Sequence, residues 1–194
     1  LNQCITSIQI GFTMITSKQY GHPKIVHLCS IALRLKNCSQ MSMDTLGLQV
    51  AGISASIPPN GKSHTLITKY PGGGKLELEL TPTKPLIRFG DRGLSRKGDG
   101  ASSVSWYWTY TRLKAEGTLT QDGETEKVEG VAWMDHEISS SQLGQGLAGW
   151  DWTCMQLDDG TEVKAYRLRK DDGASDRWSA VYWIDEKGGV QQVY

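Results

Sequence analysis

The chain has 194 residues with 21 basic and 21 acidic side chains, so its formal net charge is zero. Because nucleic-acid-binding surfaces need clustered Lys and Arg, and the sequence has no long basic run, binding to nucleic acid is not predicted. No stretch approaches about 18 consecutive apolar residues, so no transmembrane segment is predicted either.

The N-terminal part of the chain differs in composition from the rest. Residues 1–43 contain no Asp or Glu, whereas every acidic residue lies at or after Asp44. Such a break is typical of a targeting segment, an expression artefact or a separate tail. We therefore predict a leader of doubtful origin over residues 1–43 and the folded domain over residues 44–194. There are two alternatives to a leader of doubtful origin. The apolar run Ile25–Leu33 could belong to a signal peptide, or the segment could form a genuine first strand and helix.

From Ser63 onward the pattern is one of short strands and turns. His64–Tyr70 is β-rich and ends at a Pro-Gly-Gly-Gly breaker. Lys75–Leu80 alternates apolar and charged residues, which is the period of a half-buried strand, and Pro82 ends it. Val104–Leu113 is dense in aromatic and β-branched residues, as strands are. The later predicted strands are Gly117–Thr120, Lys127–Ile138, Trp150–Leu157, Glu162–Arg169 and Trp178–Ile184.

Asp-Gly pairs separate the later strands, at Asp122-Gly123, Asp159-Gly160 and Asp172-Gly173. This pair favours the tight turns of antiparallel hairpins, and the clearest hairpin joins Trp150–Leu157 to Glu162–Arg169. No comparable stretch has helical periodicity with caps. The sequence therefore predicts an all-β, antiparallel sandwich or closed barrel, and a barrel wide enough for one small ligand usually has a central cavity.

Tryptophans and ionisable side chains concentrate in the segment Gly130–Ile138 and shortly after it. On a strand, Trp133, Asp135 and Glu137 share one face, and His136 lies on the other. If the first face borders an apolar cavity, desolvation raises the pKa of a carboxyl group and keeps a proton available at neutral pH. The structural alternative is a core in which a carboxylate accepts the indole N–H of a neighbouring tryptophan.

No metal and no cofactor are predicted. The cysteines show no C-x-x-C pair, and their scatter is unlike a disulfide scaffold. The other histidines form no ligand spacing with His136. The cysteines in question are Cys4, Cys29, Cys38 and Cys154.

Six blocks of sequence follow one another in a distinctive order. They are Lys84-Pro-Leu with Gly90–Gly98, Trp106–Leu113, Gly130–Glu137, Gly149–Trp152, Gln156–Gly160 and Tyr166–Arg169. This order resembles the lipocalin-like family that includes carotenoid 1,2-hydratase (hydroxyneurosporene synthase) and its AttH-type relatives. The resemblance covers about Lys75 to Trp183, and the Trp-Met-Asp-His-Glu block is its most specific part.

The resemblance implies an antiparallel lipocalin-like (calycin) barrel made of two consecutive domains in a chain that is often exported, hence a secreted or periplasmic location. This sequence resembles most of the first domain, which implies an incomplete half-barrel fragment whose partner is the second lipocalin-like domain. Family members are hydratases or predicted secreted hydrolases. The hydratases have a tryptophan two residues after the histidine that matches His136, whereas this chain has Ile138 there.

We interpret the chain as a protein that binds an apolar, isoprenoid- or lipid-like molecule, with hydro-lyase activity of the carotenoid 1,2-hydratase type as the candidate reaction. Adding water to an alkene needs a proton donor, a stabilised cation and a positioned water, and indole faces stabilise cations. The alternatives are a non-catalytic lipid carrier, an export-associated structural protein and a secreted hydrolase of an apolar ester. The candidate catalytic residues are Asp135 as the acid, His136 to position water, and Glu137. The candidate ligand-binding residues are Trp133, Trp150, Asp151, Trp152, Tyr107 and Arg112.

Overall fold

All of the described secondary structure is β-strand. The computed structural model describes residues 5–16, 24–35, 48–50, 53–56, 63–69, 73–101, 103–139 and 143–193, with side chains from Ser63 onward. The strands are β1 Ile5–Thr16, β2 Lys24–Leu35, β3 Leu48–Val50, β4 Ile53–Ser56, β5 His64–Lys69, β6 Lys75–Pro82, β7 Ile87–Arg88, β8 Leu94–Arg96, β9 Val104–Gln121, β10 Glu124–Ser139, β11 Leu147–Gln156, β12 Glu162–Lys170, β13 Ala180–Ile184 and β14 Val190–Gln192. The predicted all-β, antiparallel class is confirmed.

The chain divides into two units, and strands β9 and β10 contribute residues to both. The first unit contains Leu1–Ser7, Lys84–Thr111 and Asp135–Tyr194, and the second contains Ile8–Thr83 and Arg112–Met134. In the second unit the strand order is β2-β1-β10-β9-β6-β5-β4-β3. The boundary at Asp44 stays a prediction, and residues 1–4, 17–23 and 36–47, with Cys4 and Cys38 among them, lie outside the described residues.

Alternation of apolar and charged residues builds β6 in the second unit. Leu76, Leu78 and Leu80 are buried, whereas Glu79 on the other face is exposed. The register pairs Leu78 with Leu66 of β5, another buried residue. Because each buried Leu side chain contributes about 2 kcal/mol, this leucine face accounts for much of the local stability.

Strand β9 is one continuous strand where the sequence predicts two. Gly117 lies in its middle and pairs with Leu78 of β6. A Cβ at Gly117 would overlap the carbonyl oxygen of Glu77, so only glycine allows the two backbones to approach this closely. At the end of β9, Asp122 and Gly123 both have positive φ angles, 52° and 83°, as a type I′ hairpin turn requires.

The first unit contains a second sheet of four strands in the order β11-β12-β13-β14. The predicted hairpin is confirmed, since β11 pairs with β12 in antiparallel register with Trp152 opposite Tyr166. Its turn is closed by the Leu157 N–H, which donates to the Thr161 carbonyl oxygen at 2.9 Å. The short strands β7 and β8 of this unit pair with the beginning of β9.

Lys84 connects three segments of the first unit. Its ammonium group donates to the carbonyl oxygens of Gly160 at 2.5 Å and Asp185 at 2.7 Å. It also donates to the Glu162 carboxylate at 2.6 Å, and these two side chains are 4% and 0% exposed. Every donor position of this buried ammonium is therefore used, which is what makes a buried charge tolerable.

Candidate functional site

A fully buried lysine, Lys164, lies in the middle of β12. The Asp-Gly turn sets a register in which Lys164 lies opposite Cys154 of β11 and Tyr182 of β13. Alternation along β12 then places Glu162, Lys164 and Tyr166 on one face of the sheet, and all three are buried. A lysine at such a position is unusual, because lysine is almost never fully buried unless it is paired.

Two aromatic rings and one carboxylate surround the Lys164 amine. Its Nζ lies 3.4 Å from the ring centre of Tyr107 and 3.8 Å from that of Phe89. Asp135 Oδ1 is 3.9 Å away, and Nζ has no hydrogen-bond partner among the described residues. Burial lowers the pKa of Lys164 to about 7, although the charge of Asp135 opposes this shift. A large fraction of molecules therefore carries a neutral amine at neutral pH.

Asp135 is held on the other side by hydroxyl groups. The Thr109 hydroxyl donates to Asp135 Oδ1 at 2.5 Å, and Tyr107 also hydrogen-bonds with this carboxylate. Burial, followed by the negative charges of Asp135 and Glu137, raises the pKa of Tyr107 well above its ordinary value. The phenol consequently keeps its proton throughout the physiological range.

A second ion pair lies beside the first. Lys97 Nζ is 3.0 Å from Glu137 Oε1, and the Ser105 hydroxyl donates to the same oxygen at 2.5 Å. Burial alone would raise the pKa of Glu137, but Lys97 and the Ser105 hydroxyl outweigh it, so the pKa is lowered. Lys97 Nζ also lies 4.9 Å from the ring centre of Tyr107. We call Lys97, Tyr107, Asp135, Glu137 and Lys164 the lysine–carboxylate cluster.

Two further groups near the cluster are uncharged at neutral pH. Burial lowers the pKa of His136 to about 4, and its ring packs against Trp108 with ring centres 4.8 Å apart. Burial, followed by the charge of Asp135, raises the pKa of Cys154 to about 12. The imidazole is therefore neutral, and Cys154 stays a thiol instead of forming the thiolate that nucleophilic chemistry needs.

A cleft of about 380 Å³ opens in the first unit next to this cluster. Tyr166 and Tyr182 lie at its floor, where each is less than 9% exposed, and Trp178 and Arg96 lie at its more exposed side. We call it the tyrosine cleft. Tyr182 contacts Phe89 with ring centres 4.7 Å apart, and Phe89 in turn contacts Lys164. The floor of the cleft is therefore one aromatic ring away from the buried amine.

Another cleft, also of about 380 Å³, lies on the opposite face of the four-stranded sheet. Asp151 and Trp152 are among its lining residues, together with Ala165, Arg167 and Val181. Because Ala165 and Val181 alternate with the inward-facing residues, this cleft lies mainly on the other face of the sheet from Lys164, and Tyr166 and Ser179 line both clefts.

The structure brings some of the candidate residues together and leaves others apart. Asp135, Glu137 and Tyr107 meet in the lysine–carboxylate cluster, and the half-buried Trp152 interacts with the Tyr107 hydroxyl. His136 is buried next to Trp108, whereas Trp150 and Asp151 are 47% and 56% exposed. Trp133, which is buried, and Arg112, which is half-buried, belong to the second unit. The assignment of all these residues to a functional site stays a prediction.

Sequence reasoning missed both lysines of the cluster and the two tyrosines of the cleft floor. The signal that could have found them is the hairpin register. With the turn at Asp159-Gly160, Trp152 lies opposite Tyr166 and Cys154 lies opposite Lys164, so an inward lysine follows from the pairing alone. Lys97 gives no such signal, because it lies just after a three-residue strand.

Two kinds of feature are not found in the part of the chain that the structure describes. No group of three or more His, Cys, Asp or Glu side chains among those residues could hold a metal ion. Within the same ranges, no helix is long and apolar enough to cross a membrane.

Comparison with known proteins gives one family match and several similar folds. The AttH-like family model matches residues 9–194. The crystal structure of an AttH protein from Nitrosomonas europaea has a TM-score of 0.80 at 23% identity, covering 97% of this chain and 67% of that one. Kievitone hydratase from Nectria haematococca has a TM-score of 0.62 at 13% identity, covering 98% of this chain and 64% of that one.

A third similar structure is CghA with Sch210972, with a TM-score of 0.56 at 10% identity, covering 96% of this chain and 59% of that one. No curated protein matches the chain by sequence. At these identities the structural likenesses show the fold alone, and they confirm the predicted lipocalin-like architecture.

Proposed function

Because the chain belongs to the AttH-like family, we propose that it binds a small, mainly apolar molecule in the tyrosine cleft. The observation that carries this proposal is the cleft itself, about 380 Å³ in volume, with Tyr166 and Tyr182 as its floor. Ligand sites in proteins are typically concave, about 300–1,000 Å³ in volume, and lined mainly by apolar and aromatic groups with a few polar ones.

The lining fits a ligand with an apolar body. Leu94 and Val104 add aliphatic surface to the aromatic floor, and Trp178 offers an indole near the opening. Polar contacts are available from Arg96 and Arg177, whose guanidinium groups lie 5.5 and 5.0 Å from the Trp178 ring centre, and from Asp91 and Gln192. An isoprenoid- or lipid-like molecule with a polar end group fits this mixture, because its apolar body can lie on the aromatic floor while the end group meets the polar side chains.

Titration with retinol, an apolar polyene alcohol, tests the binding proposal. Retinol fluorescence should rise on binding, and Trp178→Ala should weaken the affinity about tenfold, because losing one aromatic contact costs about 1–2 kcal/mol. Trp183→Ala is the matched control, since Trp183 is 40% exposed and does not line the cleft. Equal affinities for the two variants and the wild type would place retinol elsewhere and refute the proposal.

Addition of water to a carbon–carbon double bond is the second candidate function. It is favoured by the lysine–carboxylate cluster one ring from the cleft floor, and one of the similar folds is that of a hydratase. Asp135 is the candidate acid, and the ionised Glu137 is the candidate base for the attacking water. His136, neutral at physiological pH, can position that water by accepting a hydrogen bond.

Mass spectrometry distinguishes a hydratase from a carrier. A hydratase incubated with an acyclic polyene in ¹⁸O-labelled water should yield a product heavier by one labelled water. Asp135→Asn should abolish this product while retinol still binds, because the amide keeps the shape of the carboxyl group but not its acidity. Retinol binding with no mass gain in any polyene would instead identify a non-catalytic carrier.

A further inference from the structure

The two deeply buried lysines of the first unit differ in what surrounds them. Lys84 donates three hydrogen bonds of 2.5 to 2.7 Å, one of them to the Glu162 carboxylate. Lys164 is 0% exposed, against 8% for Lys84, yet its amine has no hydrogen-bond partner among the described residues. Lys84 is thus a structural cation with all of its donors used, whereas the Lys164 amine has two ring faces and a carboxylate 3.9 Å away around it.

Two effects act on the Lys164 amine in opposite directions. The ring faces of Tyr107 and Phe89 and the nearby Asp135 carboxylate favour a cation, whereas complete burial excludes water and favours the neutral amine. Burial lowers the pKa of Lys164 to about 7, so the nitrogen lone pair is available in a large fraction of molecules. Desolvation of this kind is a general way in which proteins turn lysine into a nucleophile towards carbonyl groups.

The amine also lies beside the place where a ligand would bind. Tyr182, part of the tyrosine cleft floor, lies opposite Lys164 on the neighbouring strand. Tyr166, the other floor residue, lies two positions after Lys164 on the same face of β12. A molecule resting on this floor is therefore one layer of aromatic side chains away from the amine, with Tyr182 and Phe89 between them, and an imine requires these rings to move aside.

We propose that Lys164 forms an imine with an apolar aldehyde or ketone bound in the tyrosine cleft. This inference rests on the proposed function and specifies the chemical class of the ligand. The nitrogen lone pair forms a bond to the carbonyl carbon while the carbonyl π bond breaks, and one N–H proton passes to the oxygen, giving a carbinolamine. The carbinolamine then loses its oxygen as water and the C=N bond forms, with no oxidant or reductant involved.

Asp135 and Tyr107 can assist the loss of water from the carbinolamine. Its carboxylate lies 3.9 Å from Nζ, close enough to stabilise the positive charge of a protonated imine on that nitrogen. The hydrogen bonds from Thr109 and Tyr107 hold the carboxylate in place. The Tyr107 phenol, which keeps its proton and whose ring lies against Nζ, is the candidate donor for the departing oxygen.

The test uses retinal as the carbonyl probe and retinol as its non-reactive counterpart. The protein is incubated with retinal at neutral pH, the imine is reduced with cyanoborohydride, and the modified lysine is located by peptide mass mapping. We expect Lys164 to carry most of the adduct, and Lys164→Met to lose it while still binding retinol. Before reduction, a red shift of the retinal absorbance should report the protonated imine.

The pH dependence of labelling distinguishes a lysine with a lowered pKa from one with an ordinary pKa. Labelling of Lys164 should reach half of its plateau near pH 7. Lys114 is the internal control, because hydrogen bonding and charge attraction to Glu116 raise its pKa above 10.5. An ordinary lysine is unprotonated in only about one molecule in 3,000 at pH 7, so labelling of Lys114 should keep rising into the alkaline range.

The possible outcomes distinguish this inference from the proposed function. Retinol binding in the cleft without a Lys164 adduct overturns the imine and leaves the binding site standing. Adducts spread equally over surface lysines, or a Lys164 profile parallel to that of Lys114, overturn it as well. Failure of both retinol and retinal to bind overturns the proposed function together with the inference.

Discussion

Replacing Lys164 by methionine should remove a pH dependence of stability that this one amine creates. Its pKa is 10.5 in an unfolded chain and about 7 in the folded protein. Below pH 7 the amine is protonated in both states and folding must bury the charge, whereas above pH 10.5 it is neutral in both. Between these values the unfolded chain binds more protons, so the free energy of unfolding rises with pH.

The size of this change in the free energy of unfolding follows from the pKa shift of Lys164. Each pH unit within this window adds up to about 1.4 kcal/mol. Allowing for partial protonation near pH 7, the free energy of unfolding should rise about 2 kcal/mol more in the wild type than in Lys164→Met between about pH 7 and about pH 9. Tyr107 and Cys154 are present in both proteins, so their own titrations largely cancel in the comparison.

Urea unfolding at several pH values in this window measures the difference between the two proteins. Lys114→Met serves as the matched control, since Lys114 is exposed on β9 and its stability difference from the wild type should stay constant over the same range. If the stability curves of the wild type and Lys164→Met run parallel, the amine is not desolvated as described, and the argument for a neutral lysine fails.

Three further perturbations test other parts of the structure. Lys84→Met should lower the free energy of unfolding by about 3–5 kcal/mol, because it removes the cation that faces the buried Glu162 carboxylate; unchanged stability in urea would contradict this. Gly117→Ala should cost more than about 2 kcal/mol, since a Cβ there overlaps the Glu77 carbonyl oxygen, whereas Glu116→Ala next to it should have little effect. Deleting residues 1–43 should lower the thermal midpoint by less than about 5 °C if they are a leader, and a larger fall would assign β1 and β2 to the stable fold.

The strands were predictable from sequence because their signals are local. The alternation in Lys75–Leu80 and the Asp-Gly turn at 159–160 each involve residues only a few positions apart. Each pattern determines a structure that is equally local, a strand in the first case and a hairpin in the second. Gly117 marks the limit of this reasoning. A glycine in a strand pattern suggests an interruption, but here β9 continues because the backbone of β6 lies where a side chain would be.

The candidate site was only partly predictable, because its contacts join distant parts of the chain. Asp135 and Glu137 were selected for their spacing, and both are indeed beside charged groups. Their partners Lys97 and Lys164 come from other parts of the chain. The hairpin register indicates that Lys164 points inward, but nothing in the local pattern marks Lys97 as buried or shows which carboxylates the two lysines meet. Tryptophan density does not indicate burial by itself, since Trp150 is 47% exposed whereas Trp133 is buried.

The three hydrogen bonds of Lys84 also bear on the order in which the first unit assembles. Their acceptors lie 76, 78 and 101 positions further along the chain than Lys84, in or next to the local turns at Gly160 and Asp185. Contacts that close such long loops tend to form after the local ones, because closing a long loop costs conformational entropy. The hydrogen bonds of Lys84 should accordingly form late in folding, so that their loss speeds unfolding more than it slows folding. The lifetime of the folded sheet, more than the speed at which it forms, then depends on this one side chain.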